Sequence, residues 1–489
     1  MIAGFIGREA ELSLLRKRLD RVAATGAGTA MTVRGRRQVG KSRLVQEFCD
    51  RAAVPYLFST ATKGASPVEA VTSFLADLRE SALPGVRQPL IPQDSVGTWP
   101  DAFRVLASVV PEAPCVVVLD ELPWLAEQDA LFDGALQTAW DRLLAARPVL
   151  LLLLGSDLHM MSRFTRYDQP FFGRADTLEL GPLTPADTGD ALGLAAADAI
   201  DAYLVSGGLP GILRTWPHGM RALDFLRAEC ADPAAALFSV PEAVLLAEFP
   251  NPDVSRRVLE AVGAGDRTHA NIAATAGSRE GALPAGTLSP ILRRLTADKR
   301  VLAIDEPLST KAGRPALYRI ADSNLRLYLG ALRAAHEYAR RGLPDAGFRI
   351  VHRRWAAWRG RAAEPLVRRS LEQAALSGQL PWADVQVVGG WWNRRFDPEI
   401  DLVGADKGPV ARKLYFAGSI KWLGTPFDGH DLSALRRAVV QVPGYDAAAT
   451  GVLVASLSGI AADIDRGSLD QLWGADDVVM AWRNRNEQP

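Results

Sequence analysis

The sequence has little cysteine, no excess of either charge and no long apolar run, and each shortage excludes a class of protein or site. The three cysteines are far apart and odd in number, which excludes a disulfide framework and a zinc site and predicts a reducing, cytoplasmic setting. The 56 basic and 56 acidic residues cancel, so any contact with nucleic acid must come from a local patch. The longest apolar run, 148–155, is too short to cross a bilayer and predicts a buried strand.

What remains is the composition of a globular protein. Hydrophobic residues make up 48% and charged residues 23%, and the 489 residues predict roughly three domains. Residues 1–12 lack the apolar segment of a signal peptide. We therefore expect a cytoplasmic protein without a membrane partner.

Short apolar runs alternate with helical stretches from Met31 to Leu154. Alternating strands and helices predict a parallel α/β sheet. The predicted strands are 31–34, 56–59, 115–119 and 149–154, and the predicted helices between them are 41–51 and 68–81.

The rest of the chain changes pattern three times. Residues 186–248 lose the strand signal and predict a helical lid, and three short helices before two short strands give the order of a winged helix-turn-helix. Residues 342–345 predict a linker before a further α/β domain, with a helix near 356–373, strands near 385–392, 399–403 and 413–416, and a helix near 432–440. The predicted domains are 1–185, 186–248, 249–335 and 345–489.

A phosphate-binding loop follows the first predicted strand and opens a helix. Its residues, Gly35-Arg36-Arg37-Gln38-Val39-Gly40-Lys41-Ser42, fit the pattern G-x-x-x-x-G-K-[ST]. Glycines let backbone N–H groups point at phosphate oxygens, and the helix N-terminus favours negative charge. Lys41 would contact the β- and γ-phosphates and Ser42 would bind Mg²⁺, so the loop predicts ATP and Mg²⁺ as ligands.

Two later strands end in polar residues. Asp120 and Glu121 follow a buried strand, where Asp120 would hold Mg²⁺ through water and Glu121 would act as general base on the attacking water. Ser156 follows the next strand and would sense the γ-phosphate or orient the water. The alternatives are strands that merely end in solvated acids or in a polar cap.

The winged-helix segment is locally basic. The helix 287–297 would be the recognition element, with Ser289, Arg293 and Arg294 on it and Lys299 just after it. The predicted wing, 309–315, adds Lys311 and Arg314. Five cations suit contacts with the phosphates of double-stranded DNA, whereas the alternative is a module that serves only for packing.

The N-terminal part resembles the archaeal-type ATPases of the signal-transduction (STAND) group of P-loop NTPases, relatives of the AAA+ superfamily. The resemblance rests on the loop, the Asp-Glu and Gly-Ser strands, and the segments 5–12, 171–174 and 207–210. It implies that Phe5, Ile6 and Arg8 belong to the nucleotide pocket and that Pro210 closes over it. It also implies a γ-phosphate-sensing arginine, for which Arg174 is the first candidate, with Arg163 and Arg166 as rivals.

The C-terminal part resembles domains of restriction-endonuclease-like fold, whose signature is PD-(D/E)xK. The matching residues are Glu364 on a helix, Asp401 on a strand and Lys421 on a following strand. Ser419 stands where the signature has an acid, and a neutral hydroxyl is a poor Mg²⁺ ligand. We therefore expect a degenerate site without nuclease activity, although Asp397 or Glu399 could substitute for the missing acid.

Three functions stay open at this point. The first is an ATP-driven switch that couples nucleotide state to the winged-helix and nuclease-like modules, with self-assembly or a protein partner. The second is an active ATP-dependent metal nuclease in defence or DNA processing. The third is an ATP-binding regulatory scaffold with little turnover.

Overall fold

The computed structural model describes residues 4–87, 96–164, 166–167, 169, 171–249, 254–279, 281–313 and 315–486. The chain divides into two compact units. One is Gly7–Pro182, and the other contains Leu183 onwards together with the short segment before Gly7. Among the described helices, none is both long and apolar enough to span a membrane.

The first unit is built on a five-stranded sheet in which every strand pair is parallel, as the sequence predicts. The strands are β1 Thr29–Arg34, β2 Tyr56–Thr60, β3 Cys115–Asp120, β4 Val149–Gly155 and β5 Ala175–Glu179, in the order β2-β3-β4-β1-β5. The helices are α1 Glu9–Thr25, α2 Lys41–Ala52, α3 Pro67–Glu80, α4 Trp99–Val109, α5 Leu122–Gln128, α6 Phe132–Ala139 and α7 Leu158–Phe164.

The strand order explains the uninterrupted apolar runs of β3 and β4. Every residue of both strands is buried, because parallel central strands are covered on both faces. On one face, a cluster of aromatic rings from α3, α4 and α6 fills the core, with the Trp99 and Phe132 rings 4.9 Å apart. This order also sets the carboxyl ends of β1, β4 and β3 side by side at one edge of the sheet.

The second unit starts with helices and contains two sheets. The helices are α8 Pro185–Leu192, α9 Ala196–Ser206, α10 Pro210–Leu213, α11 Ala222–Cys230, α12 Ala236–Glu248, α13 Val254–Ala264, α14 His269–Thr275, α15 Ala285–Arg293, α16 Ser323–Leu327, α17 Arg333–Arg340, α18 Pro344–Leu376, α19 Gly429–Val439 and α20 Ala475–Asn486. The strands are β6 Leu302–Asp305, β7 Leu317–Ile320, β8 Val387–Trp392, β9 Glu399–Ala405, β10 Leu414–Lys421, β11 Gly451–Ser456 and β12 Gln471–Trp473.

The larger sheet of this unit is mixed. Its order is β12-β11-β10-β9-β8, antiparallel from β8 to β10 and parallel from β10 to β12. Apolar residues of α18 and α20 pack on one face, and those of α19 pack on the other. Helices α13–α15 precede the antiparallel pair β6 and β7, which is the predicted order of elements.

Three local predictions were wrong. Pro344 and Asp345 do not form a linker but begin α18, since proline suits the first turn of a helix. That helix runs from Pro344 to Leu376, well beyond the predicted 356–373. The predicted strand 413–416 and the segment with Ser419 and Lys421 form one strand, β10.

Candidate nucleotide site

The loop between β1 and α2 has the backbone of an anion-binding turn. Gln38 and Gly40 adopt left-handed φ angles of 66° and 91°. Gly40 is the N-cap of α2, and no side chain caps this end of the helix. The first N–H groups of a helix have no acceptor within the helix, so this N-terminus offers donors to a negatively charged group.

Lys41 opens α2 and is buried in the same loop. Its ammonium donates hydrogen bonds to the carbonyl oxygens of Gly35 (2.8 Å) and Arg36 (3.1 Å). Burial lowers its pKa to about 8, while the charges of Glu121 and Asp120 act in the opposite direction. The lysine is therefore held within the loop and within electrostatic reach of both acids.

Two contacts fix the position of the loop. A Cβ at Gly35 would lie 2.4 Å from the carbonyl oxygen of Leu180, so only glycine fits there. The buried Arg8 guanidinium donates to the carbonyl oxygens of Val39 (3.1 Å) and Gly181 (2.6 Å). Arg8 thus joins the loop to the segment after β5, a role that sequence reasoning missed.

The acids at the end of β3 are positioned by the backbone. Asp120 is buried, and its carboxylate accepts a hydrogen bond from the Glu121 N–H at 2.8 Å. Glu121 has a φ of 54°, a conformation that costs a non-glycine residue energy and is concentrated at functional sites. It is followed directly by α5, so the sharp turn places its side chain at the edge of the sheet.

Ser156 lies just after β4, the strand between β3 and β1. Its hydroxyl donates to both carboxylate oxygens of Glu121, at 2.9 and 3.2 Å. The sequence places each of these residues at the end of a strand, and the structure brings them into direct contact. The bond orients the Glu121 carboxylate.

Residues 4–152 match the family model of the AAA ATPase domain. This segment contains the loop, Lys41, Asp120 and Glu121, while Ser156 lies just beyond it. ATP binding and hydrolysis fit such a domain, as the loop motif predicts.

Solved structures give remote similarity. A Walker-type ATPase of Pyrococcus abyssi is 19% identical with a TM-score of 0.48, over 66% of this chain and 96% of that one. The ORC2 protein of Aeropyrum pernix in ADPNP–ADP complexes is 13% identical with a TM-score of 0.43, over 73% and 96%. The ORC1 protein of the same organism in complex with DNA is 15% identical with a TM-score of 0.35, over 72% and 94%. No curated protein matches the chain.

The other residues of the phosphate-binding loop have mixed exposure. Ser42 and Gln38 are exposed, Val39 is buried, and Arg36 and Arg37 are half-buried. A hydroxyl at the surface of the loop can reach a metal ion that accompanies a nucleotide. The assignment of Ser42 and Asp120 to Mg²⁺ stays a prediction.

The candidate sensor arginines lie between β4 and β5. Arg174 forms a bidentate ion pair with Asp141, with both N–O distances 2.8 Å. Arg163 lies near Asp133. Burial raises the pKa of Asp133, and the charge of Arg163 partly offsets this rise. The Arg166 N–H donates to the Arg163 carbonyl. A γ-phosphate contact by any of the three stays a prediction.

The predicted adenine contacts belong to the second unit. Phe5, Ile6 and Pro210 are half-buried, and Pro210 begins α10. The preceding Gly208 has a φ of 64°, and a Cβ there would lie 2.2 Å from the Leu183 carbonyl oxygen. The backbone therefore requires glycine at position 208 of the Gly-Gly-Leu-Pro motif, while the contact of Pro210 with adenine stays a prediction.

The basic residues of 249–335 differ in how they are held. Arg293 and Ser289 are exposed on α15, and Ser289 contacts the His269 ring at 3.2 Å. The Arg294 guanidinium donates to the Ser255 hydroxyl, and Lys299 caps the turn that continues α15. Arg294 therefore helps to pack the module on itself.

The predicted wing is not a free hairpin. Ser309 is fully buried, and its N–H donates to the Pro409 carbonyl oxygen, while the Thr310 N–H donates to that of Pro443. The segment thus packs against the larger sheet of the same unit, which a turn-rich sequence could not reveal. Lys311 remains exposed, and Arg314 lies outside the described residues.

The nuclease-like residues gather beside a cavity of about 630 Å³ between β9, β10 and α19. Asp401 accepts hydrogen bonds from the Ser419 hydroxyl (2.8 Å) and the Ile420 N–H (2.9 Å). Lys421 forms an ion pair with Asp431 of α19. Ser419 therefore occupies the signature's acid position as a hydrogen-bond donor.

Two further acids near this cavity, Glu364 and Glu399, are partnered by arginines. Glu364 faces Arg368 at 3.7 Å, and Glu399 pairs with Arg267 at 3.4 Å. Burial raises the pKa of both Glu364 and Asp401, which favours their neutral forms. Across the described residues, no group of three or more His, Cys, Asp or Glu side chains is arranged to hold a metal ion.

Proposed function

We propose that the chain is an ATPase that acts as a molecular switch. The observation that carries the proposal is the Ser156–Glu121 hydrogen bond. It lies at the sheet edge where Lys41 is within electrostatic reach of Glu121. A carboxylate oriented in this way suits a general base. ATP would bind with its phosphates at the N-terminus of α2.

The residues divide the work by their chemistry. Lys41 supplies a fixed positive charge for the β- and γ-phosphates, and Ser42 and Asp120 would hold the Mg²⁺ ion that accompanies ATP. Mg²⁺ supplies charge that neutralises phosphate oxygens. Glu121 accepts the proton of the attacking water, with Ser156 keeping its carboxylate in place.

The switch part of the proposal concerns the second unit. Helices α13–α15 with β6 and β7 have the element order of a winged helix, and the larger mixed sheet with α18 fits a nuclease-like module. The bound nucleotide would alter the arrangement of these modules. Double-stranded DNA would be one ligand of the modules, and a homo-oligomer or a protein partner would take part in the response. Steady-state ATP turnover separates this switch from an ATP-binding scaffold.

Removing two exposed cations of the winged-helix module should weaken its binding to duplex DNA. Arg293→Ala combined with Lys311→Ala leaves the packed Arg294 in place. Each lost phosphate contact contributes about 0.9 to the salt slope, so the slope should fall by about 1.8. Fluorescence anisotropy of a labelled duplex at several salt concentrations measures both quantities.

The control for this experiment removes two cations elsewhere. The control variant, Lys17→Ala with Arg21→Ala, alters two exposed positions of α1. It lowers the net charge of the chain by the same amount. An equal loss in the control, or wild-type protein without salt-dependent duplex binding, contradicts a DNA role for this module.

An active nuclease is the second candidate, and the pairing of its acids argues against it. We expect no DNA cleavage by the wild-type chain with Mg²⁺ or Mn²⁺, because Ser419 gives no third carboxylate and Arg267 and Arg368 engage Glu399 and Glu364. Metal-dependent cleavage that disappears in Asp401→Ala would place the nuclease first.

Ser419→Glu should raise the affinity of this cavity for Mn²⁺. The new carboxylate would lie beside Asp401, and one unit charge at about 4 Å is worth about 4 kcal/mol at an effective dielectric constant of 20. We expect a gain of at least about tenfold, which needs only about 1.4 kcal/mol. Calorimetric Mn²⁺ titration of Ser419→Glu and of the exposed control Ser433→Glu checks this, and equal affinities contradict it.

A further inference from the structure

A second concave site lies within the C-terminal unit, away from the residues discussed above. Helices α11, α17 and α18 pack together around a cavity of about 730 Å³. Cavities of about 300–1,000 Å³ are the size that binds small ligands. The polar side chains of its lining are Arg227, Tyr338, Asp345, Arg349, His352 and Arg353.

The basic side chains converge because of helix geometry. Residues three and four apart on a helix share a face, so Arg349, His352 and Arg353 point the same way from α18. Arg227 of α11 completes the group, with its guanidinium 4.7 Å from the centre of the Phe348 ring. The cavity thus gathers three arginines against one carboxylate, Asp345.

Two of these arginines differ from nearby arginines in their ionic pairing. Arg333 pairs with Glu260, and Arg359 pairs with Asp201. In the part of the chain that the structure describes, Arg349 and Arg353 are exposed and take part in no ion pair. Their charges are therefore available to a ligand.

The chemistry of the cavity matches a phosphate group. A guanidinium presents a planar fork of N–H donors that fits phosphate oxygens. The partly exposed ring of Tyr338 adds a flat face on which a base can stack. We propose that this cavity binds the phosphate of a nucleotide, either free or within a single strand.

The test compares two probes in the Lys41→Ala chain, which removes phosphate binding at the loop after β1. A labelled 12-nucleotide oligothymidylate and AMP are titrated against this protein and against a variant that also carries Arg349→Ala and Arg353→Ala. We expect the variant to bind at least tenfold more weakly, with the salt slope for the oligonucleotide lower by about 1.4, since single-strand contacts contribute about 0.7 each.

The control variant carries Arg394→Ala and Arg395→Ala, two exposed arginines on the loop between β8 and β9. Loss with both probes assigns the site to a free nucleotide, and loss with the oligonucleotide alone assigns it to a strand. The single changes Arg349→Gln and Arg353→Gln, with melting temperatures, separate lost contacts from lost fold. Wild-type-like binding in both the double and the single variants, equal loss in the control, or no binding of either probe overturns the proposal.

Discussion

Lys41→Ala is expected to abolish detectable ATP binding and to leave the fold intact. The ammonium is the charge that the loop provides for the β- and γ-phosphates. Among the described residues, it donates to the carbonyl oxygens of Gly35 and Arg36, both within the loop, so its removal should leave the core packing in place. Thermal unfolding with and without ATP and Mg²⁺ measures both parts of the expectation.

Lys63→Ala is the matched control, because Lys63 is exposed and its substitution removes the same charge. It should retain the full increase in melting temperature that ATP gives to the wild-type chain. An equal increase in Lys41→Ala would show that ATP does not use this loop.

The same lysine gives wild-type binding a characteristic pH dependence. In the free protein, burial lowers the Lys41 pKa to about 8, and phosphate favours the charged form. Above about pH 8 the protein must take up a proton to bind, so affinity should fall by up to tenfold per pH unit. Calorimetry between pH 7 and pH 9 in buffers of different ionisation enthalpy would detect this proton uptake.

Glu121→Gln is expected to retain ATP but to slow its hydrolysis by about 10²-fold or more, the usual scale for losing a general base. The amide has nearly the shape of the carboxylate, and its oxygen can still accept the Ser156 hydrogen bond. It cannot take a proton from water. Nucleotide affinity and the rate of phosphate release are therefore measured separately on the same protein.

Glu127→Gln, at an exposed position of α5, makes the same chemical change outside the site. It should hydrolyse ATP at the wild-type rate. If Glu121→Gln also does so, Glu121 is not the base, and the Ser156 contact has a structural purpose.

The features that the sequence predicts well are local ones. The loop Gly35–Ser42 and the strands β3 and β4 are recognisable because each consists of contiguous residues with strong preferences. The meeting of Glu121 and Ser156 could be anticipated, because parallel strands end at one edge of a sheet. Most of the candidate nucleotide site was therefore predictable.

Contacts between distant segments were not predictable from the sequence. Nothing near Arg8 in the chain indicates that its guanidinium reaches the carbonyl oxygens of Val39 and Gly181. The packing of the predicted wing was missed for the same reason, since the partners of Ser309 and Thr310 lie about a hundred or more residues away. Exposed-looking loops can be buried by such long-range packing, and only the folded chain reveals it.

The most direct test of the account is phosphate release from ATP by the wild-type chain, with Mg²⁺ and with EDTA, beside Lys41→Ala. The account predicts steady turnover that requires Mg²⁺ and is lost in Lys41→Ala. Tight ATP binding without any phosphate release would contradict it and favour a regulatory scaffold. Turnover that persists in Lys41→Ala would contradict the assignment of the site itself.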